Sequence, residues 1–202
     1  MGGRKVFEFT YVEYEEGSLI AKLAAVVTLT PNLAAFGLFS AFVVTRRLAW
    51  LWAFAGAVGV DLLCSALKHV IKEPRPEGSY RKGPGMPSEH AAFAAFCATH
   101  LSLWVARRVR CGPRLKALAW IALGVWAAAV AASRHLLGVH TAAQLVVGAL
   151  IGVGSGAAWF GLEAALRGPV LAPLQRRLDR VWAWLDIRFD DCCGGDNGKD
   201  HR

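Results

Sequence analysis

Three short segments, KHVIKEPRP, PSEH and SRHLLGVHTAAQ, combine cationic side chains with histidine. Their polar members are Lys68, Arg75, Ser88, His90, Arg134, His140 and Gln144. Arginine binds phosphate through its planar fork, and lysine binds it as a point charge. Imidazole can carry a proton or a phosphoryl group near neutral pH. The three segments together therefore indicate a phosphate-binding cage with two candidate carriers.

The elements that position these segments are apolar and long. Of the 202 residues, 55% are hydrophobic and 19% are charged, and several apolar runs approach the ~20 residues needed to cross a bilayer. Apolar spans are predicted at 19–45, 48–67, 89–105, 116–133 and 140–165. We therefore predict an all-α integral membrane protein with a bundle of five to six transmembrane helices. Pro31 leaves two possibilities for 19–45, one bent span or a short interfacial piece followed by a span.

The basic residues predict how the spans are oriented. Arg46, Arg47 and the connection 106–116 lie on one side, because two spans separate them, and the positive-inside tendency makes that side cytoplasmic. The loop 68–90 and the turn 134–140 then fall on the opposite side. All three segments therefore meet at one membrane surface, where two helix N-termini add N–H groups suited to phosphate.

Polar segments flank the predicted transmembrane domain, 19–166. Residues 1–18 are predicted on the non-cytoplasmic side, 167–187 as an interfacial amphipathic segment, and 188–202 as a disordered cytoplasmic tail. The net charge of +8 does not indicate nucleic acid, because the basic residues lie in connections rather than on a stripe interleaved with aromatic residues. The oligomeric state stays open.

The joint spacing K-x6-RP, PSxH and R-x5-H resembles the type-2 phosphatidic acid phosphatase superfamily. The segments VEYEEGSL, TLTP, VIKEPRP, GMPSEH and HTAAQ are similar to its dolichyldiphosphatase branch, and the resemblance covers most of residues 11–165. It implies an enzyme of the endoplasmic reticulum membrane with its site facing the lumen. The implied reaction converts dolichyl diphosphate, a polyprenyl diphosphate, to the monophosphate, which recycles the lipid carrier of protein N-glycosylation.

The resemblance also implies roles for the site residues. His140 would attack the terminal phosphorus and form a phosphohistidine, and His90 would protonate the leaving oxygen and later help water attack. No metal and no cofactor would be needed, because cationic side chains neutralise the phosphate. The phosphoryl oxygens would be held by Lys68, Arg75, Ser88 and Arg134.

Gln144 departs from most of the superfamily, which has Asp at this position. An amide oxygen can still accept the imidazole N–H of His140 and fix its tautomer. It cannot neutralise an imidazolium, so we expect His140 to be less basic than in the Asp enzymes.

Two acidic residues lie close to the motifs. Glu89 replaces the Ser that is usual in the branch. We expect it to face outward and stabilise the helix N-terminus, with a contact to His90 as the alternative. Asp61 lies about two helical turns before Lys68, on the same face. It could pair with Lys68 or a buried Arg, or form a structural hydrogen bond.

Two other functions remain open from the sequence. One is a broader lipid phosphate phosphatase acting on phosphatidic acid or a sphingoid phosphate; Gln144 and the flanking matches argue against it. The other is a non-catalytic lipid-phosphate binder. Arg81 and Lys82 share the loop with Arg75, and we expect them to be solvated rather than to contact the diphosphate. The length and saturation of the lipid chain are not fixed by the sequence.

Overall fold

In the computed structural model, which describes residues 12–185, the chain folds into α-helices joined by short connections. The helices are α1 (Leu19–Thr45), α2 (Leu48–Ile71), α3 (Glu89–Arg108), α4 (Pro113–Leu136), α5 (Ala142–Leu166) and α6 (Ala172–Trp184). A π-helical turn, Arg167–Leu171, joins α5 to α6. Helices α1, α2 and α4 and the stretch Ala142–Trp184 are long and apolar enough to cross a membrane. The prediction of an all-α membrane bundle is confirmed.

Helix α1 is continuous through its proline, which answers the question left open for residues 19–45. It begins at Ser18, whose side chain accepts a hydrogen bond from Ala21 N at 3.2 Å. Pro31 has no N–H to donate to the carbonyl of Val27, four residues earlier. The hydroxyl of Thr30 donates to that carbonyl instead, at 2.7 Å. The carbonyl is therefore satisfied, and the apolar segment forms one helix that is long enough to cross a membrane.

Helix α3 lies at the centre of the bundle, packed against α2, α4 and α5. Its contact with α5 is close because glycines recur every four residues on α5, at 148, 152 and 156. A Cβ on Gly148 would lie 2.5 Å from the Ser88 carbonyl oxygen, and one on Gly152 would collide with the Ala92 carbonyl oxygen. Small residues at this spacing let helix backbones approach each other in membranes. The glycines thereby bring the start of α5 against the start of α3.

The opposite end of the bundle is joined by the side chain of Gln175 on α6. Its Oε1 accepts a hydrogen bond from Leu48 N at 2.8 Å, and its Nε2 donates to Arg46 O at 2.9 Å. The Arg46 guanidinium also lies 5.0 Å from the Trp182 ring centre. Helix α6 is thus attached to the turn between α1 and α2, within the predicted interfacial segment 167–187.

The limits of the predicted segments stay predictions. Three parts of these predictions lie outside the described residues. They are residues 1–11 of the N-terminal segment, residues 186–187 of the interfacial segment and the whole predicted tail, 188–202.

Candidate active site

The three motif segments converge at the end of the bundle where α2 and α4 finish and α3 and α5 begin. Arg75 Nη1 lies 2.9 Å from Val139 O and 3.2 Å from His140 Nε2, joining the first segment to the third. Ser88 N donates to Gln144 O at 3.1 Å, joining the second to the third. We refer to the gathered side chains as the cage: Lys68, Arg75, Ser88, His90, Arg134 and His140.

The loop 72–88 is folded back against Gln144. Lys72 ends α2 with a left-handed φ of 54°, and Glu73 O accepts a hydrogen bond from Gly85 N at 2.7 Å. A Cβ on Gly85 would lie 2.6 Å from the Gln144 amide atoms. A residue without a side chain is therefore required for this approach, which holds the segment containing Arg75 over the start of α5.

His140 is 3% exposed and contacts polar groups through both ring nitrogens. Nδ1 lies 3.2 Å from Gln144 Oε1, and Nε2 lies 3.2 Å from Arg75 Nη1. A guanidinium can only donate, so Nε2 accepts and the ring proton resides on Nδ1. Burial, with the cationic Arg75 and Arg134, lowers the pKa of His140 to about 3. The imidazole is therefore neutral near neutral pH, with its Nε2 lone pair inside the cage.

The Gln144 amide is held in one orientation by four hydrogen bonds. Its Nε2 donates to Glu73 Oε1 at 3.0 Å and to Pro74 O at 2.7 Å. Its Oε1 accepts from Thr141 N at 3.2 Å, within a capping box that begins α5, and from His140 Nδ1. Two acceptors face the nitrogen and two donors face the oxygen, so a flipped amide would lose its partners. The expected contact between Gln144 and His140 is present.

Arg134 reaches the cage from the last turn of α4. Its side chain is 1% exposed, and its Nη1 donates to Thr28 Oγ1 on α1 at 2.9 Å. Within residues 12–185, the buried Nε atoms of Arg134 and Arg75 and the buried Oγ of Ser88 have no hydrogen-bond partner. Buried polar groups normally have one. These three groups have the chemistry to bind the oxygens of a phosphoryl group.

Glu89 does not face outward, and it does not contact His90 as its main partner. Its Oε1 lies 2.9 Å from Lys68 Nζ, in a pair whose side chains are 33% and 11% exposed. The expected orientation of Glu89 is therefore wrong, because Lys68 lies close enough to draw the carboxylate toward the cage. Asp61 is on the same helix as Lys68, but its Oδ1 is buried with no hydrogen-bond partner in the described part of the chain. Neither pairing considered for Asp61 is made by this oxygen.

His90, on the first turn of α3, is half-buried. Its charged neighbours are Arg134, Arg81, His140 and Lys68, so it lies inside the cage. Arg81 is half-buried, and it is a charged neighbour of Arg75 as well. Arg81 is therefore near the cage without being fully buried, and Lys82 is exposed, as expected.

Burial, together with Arg81, lowers the pKa of Arg75. The four cations of the cage region, Lys68, Arg75, Arg81 and Arg134, concentrate positive charge around the two imidazoles. Such a group suits a multiply charged anion.

Sequence reasoning missed Glu73, Thr28 and Tyr80. Glu73 lies inside the KEPRP segment, where an acidic residue between Lys72 and Pro74 was the available signal. Thr28 is one hydroxyl in an apolar run, and Tyr80, a neighbour of Arg134, is an ordinary loop residue. Nothing in the local sequence marks these two.

The fold and the site together define a membrane-spanning helical bundle with a cationic cage around a buried, neutral histidine. The PAP2 superfamily model matches residues 48–166, which hold the whole cage. The chain belongs to the PAP2 superfamily.

Named relatives cover most of the chain. "Dolichyldiphosphatase 1" of Dictyostelium discoideum is 31% identical over 83% of this chain and 75% of that protein. "Lipid phosphate phosphatase gamma" of Arabidopsis thaliana is 28% identical over 90% of this chain and 83% of that protein. A crystal structure of a transmembrane PAP2-type phosphatidylglycerolphosphate phosphatase from Bacillus subtilis matches with a TM-score of 0.64 and 19% identity. It covers 73% of this chain and 78% of that one, and it establishes the likeness of the fold alone.

Proposed function

We propose that this membrane phosphatase hydrolyses a polyprenyl diphosphate, of the dolichyl diphosphate kind, to the monophosphate. The observation that carries the proposal is the state of His140, a neutral imidazole whose unprotonated Nε2 lies against Arg75 inside a group of cations. A nucleophile needs its lone pair, and a transferring phosphoryl group needs positive charge around it. The dolichyldiphosphatase names of several relatives support the choice of substrate.

The proposed reaction has two displacements. In the first, His140 Nε2 bonds to the terminal phosphorus while the bond from phosphorus to the bridging oxygen breaks, and His90 gives that oxygen a proton. In the second, water loses a proton to His90 and attacks phosphorus, which releases inorganic phosphate and restores His140. Arg75 and Arg134 hold the phosphoryl oxygens through both steps.

The lipid tail has an apolar path beside the cage. A groove of about 250 Å³ lies between α1 and α4, and Val27 and Ser133 are among the residues that line it. Val27 directly precedes Thr28 in the chain, and Ser133 directly precedes Arg134. Thr28 and Arg134 are hydrogen-bonded to each other, so the groove lies next to the cage. In our proposal the diphosphate lies in the cage while the prenyl chain leaves between these helices into the bilayer.

We infer that the cage faces the lumen of the endoplasmic reticulum. Arg46, Arg47 and the basic connection between α3 and α4 lie at the opposite end of the bundle, and the positive-inside tendency places such residues in the cytoplasm. The product monophosphate would then be a reusable carrier for N-glycosylation.

Phosphate release by the purified protein tests the proposal. A panel of polyprenyl mono- and diphosphates and phosphatidic acid is offered to the wild type and to His140→Ala, in detergent. We expect the diphosphates to be hydrolysed fastest, His140→Ala to be inactive, and EDTA to leave the rate unchanged, since cationic side chains neutralise the phosphate. Equal turnover of phosphatidic acid would favour the broader lipid phosphate phosphatase that the Arabidopsis relative's name indicates. Binding of the diphosphate without phosphate release would favour a non-catalytic binder.

A further inference from the structure

Gln144 connects His140 to the carboxylate of Glu73 through two successive hydrogen bonds. His140 Nδ1 contacts Gln144 Oε1 at 3.2 Å, and Gln144 Nε2 contacts Glu73 Oε1 at 3.0 Å. We propose that Glu73 is a positioning residue that acts on His140 through the Gln144 amide, and that it supplies the negative charge which the amide itself lacks. This inference rests on the proposed phosphoryl transfer at His140.

A negative charge near Gln144 would stabilise the state of His140 that the first displacement produces. When His140 Nε2 bonds to phosphorus while Nδ1 keeps its proton, the ring becomes an imidazolium. The Gln144 dipole is aligned to stabilise it, because its oxygen faces the ring and its N–H groups face Glu73 and Pro74 O. A carboxylate behind an amide strengthens the hydrogen bond that the amide accepts, since hydrogen bonds in a chain polarise one another. Glu73 thus favours the charged intermediate over the neutral resting ring.

A purely structural role accounts less well for this carboxylate. The Gln144 amide is already fixed by Pro74 O and Thr141 N, and its backbone carbonyl by Ser88 N. In the described part of the chain, Glu73 forms no ion pair with any cation. Its carboxylate instead contacts the neutral amide of Gln144. The position of the amide does not require this charge, whereas polarisation of the hydrogen bond to His140 does.

Glu73→Gln removes the negative charge of this side chain but keeps its size and its hydrogen bond, because a glutamine oxygen can still accept from Gln144 Nε2. Glu77→Gln is the matched control: it is an exposed carboxylate of the same loop. We expect single-turnover formation of the phosphoenzyme from a polyprenyl diphosphate to slow by on the order of 10-fold in Glu73→Gln. This is the smaller effect seen when a group that orients a metal-binding histidine is removed. KM should be unchanged, and Glu77→Gln should match the wild type.

The double variant Glu73→Gln/Gln144→Asp returns a carboxylate directly to His140. We expect it to recover most of the lost rate, because the negative charge is restored one position closer to the ring. A loss in Glu73→Gln that this change fails to recover, with a lower Tm, would make Glu73 a structural contact and overturn the proposal. Wild-type rates in Glu73→Gln would overturn it as well.

A measurement on the resting protein separates this inference from the proposed function. In detergent, the NMR signal of the Nδ1 proton of His140, assigned by its loss in His140→Ala, reports the hydrogen bond to Gln144 without any substrate. We expect it to move upfield in Glu73→Gln and to stay in place in Glu77→Gln. If the wild type hydrolyses no polyprenyl diphosphate but the signal moves, the proposed function fails and the coupling stands. An unmoved signal would contradict the coupling itself.

Discussion

Buried ionisable groups occur at both ends of the bundle, beside the contact between α3 and α5. The two ends differ in whether these buried groups are paired with an opposite charge. At the cage end, His140 is surrounded by Arg75 and Arg134, and neither arginine is paired with a carboxylate in the described residues. At the opposite end, Glu163 is 1% exposed, and its Oε1 accepts from Arg167 Nη2 at 2.8 Å. The cage has an excess of buried positive charge, whereas the buried carboxylate at the opposite end is paired with an arginine.

The two buried histidines also differ in their surroundings. His100 is stacked on Phe96, with ring centres 5.7 Å apart, and meets the edge of Phe160. Its Nε2 lies 3.9 Å from Glu163 Oε2. His140 instead has a polar partner on each ring nitrogen and lies beside the cations Arg75 and Arg134. An ionisable residue inside a membrane protein suggests a functional site, but here unbalanced buried charge, rather than burial alone, separates the site from the scaffold.

The largest expected effect comes from removing each histidine in turn. His140→Ala should lower kcat by at least about 10³-fold, because it removes the proposed nucleophile. His100→Ala should keep kcat within a few-fold of the wild type and lower Tm, since it removes a ring packed between two aromatic side chains. Turnover and thermal unfolding of both variants in the same detergent check this. Comparable losses of kcat in two well-folded variants would remove the distinction between the ends.

The arginines give the next effect. Arg134→Lys should lower kcat/KM by on the order of 10²-fold, because lysine cannot donate to Thr28 and a phosphoryl oxygen with one planar group. Arg167→Lys is its control, since an ammonium can still pair with Glu163. The measurement is kcat/KM for a polyprenyl diphosphate in both variants and in the wild type. If Arg134→Lys were as active as Arg167→Lys, the cage would need only charge and no fixed geometry.

Chain order and helix count were sufficient to predict which motif segments meet. Each apolar span reverses the side of the membrane, so the positions of Lys68, His90 and His140 follow from counting spans. The contact of Gln144 with His140 is equally local, because residues four apart lie on one face where a helix begins.

The contacts that the sequence did not predict depend on rotation and on long-range approach. Glu89 and His90 are neighbours at about 100° to each other around a helix, and only the packing of α3 determines that Glu89 reaches Lys68. Thr28 meets Arg134 because α1 packs on α4, and Glu73 meets Gln144 because a 17-residue connection folds back over α5. Glu73 stands out as an acidic residue within KEPRP, but no local pattern identifies the partner of either residue.

A third prediction adds a carboxylate to the cage. Gln144→Asp places a negative charge beside His140, which favours the imidazolium and raises the pKa of His140 from about 3. The nucleophile must be neutral, so the acid limb of the kcat/KM profile should move to higher pH, by roughly one unit or more. The profile between pH 2 and 8, which includes the wild-type limb, measures the shift, with Gln175→Asp at the opposite end as the unshifted control. A shift to lower pH would mean that the limb belongs to another group.

The smallest expected effect concerns Glu89, a carboxylate that pairs with one of the cage cations. In the resting protein Glu89 Oε1 forms an ion pair with Lys68 Nζ at 2.9 Å. A diphosphate that binds Lys68 must compete with this carboxylate. Glu89→Gln removes both the competition and a repulsive charge. We therefore expect KM for a polyprenyl diphosphate to fall by about 3-fold with kcat nearly unchanged, a modest effect because the pair is partly exposed.

Glu163→Gln, at the opposite end, is the control for this change and should leave KM at the wild-type value. Added salt should reduce the difference between Glu89→Gln and the wild type, since partly exposed charges are screened. A rise in KM would reverse the interpretation. The ion pair would then hold Lys68 in position for the phosphate, and the excess of positive charge would depend on a carboxylate to orient it.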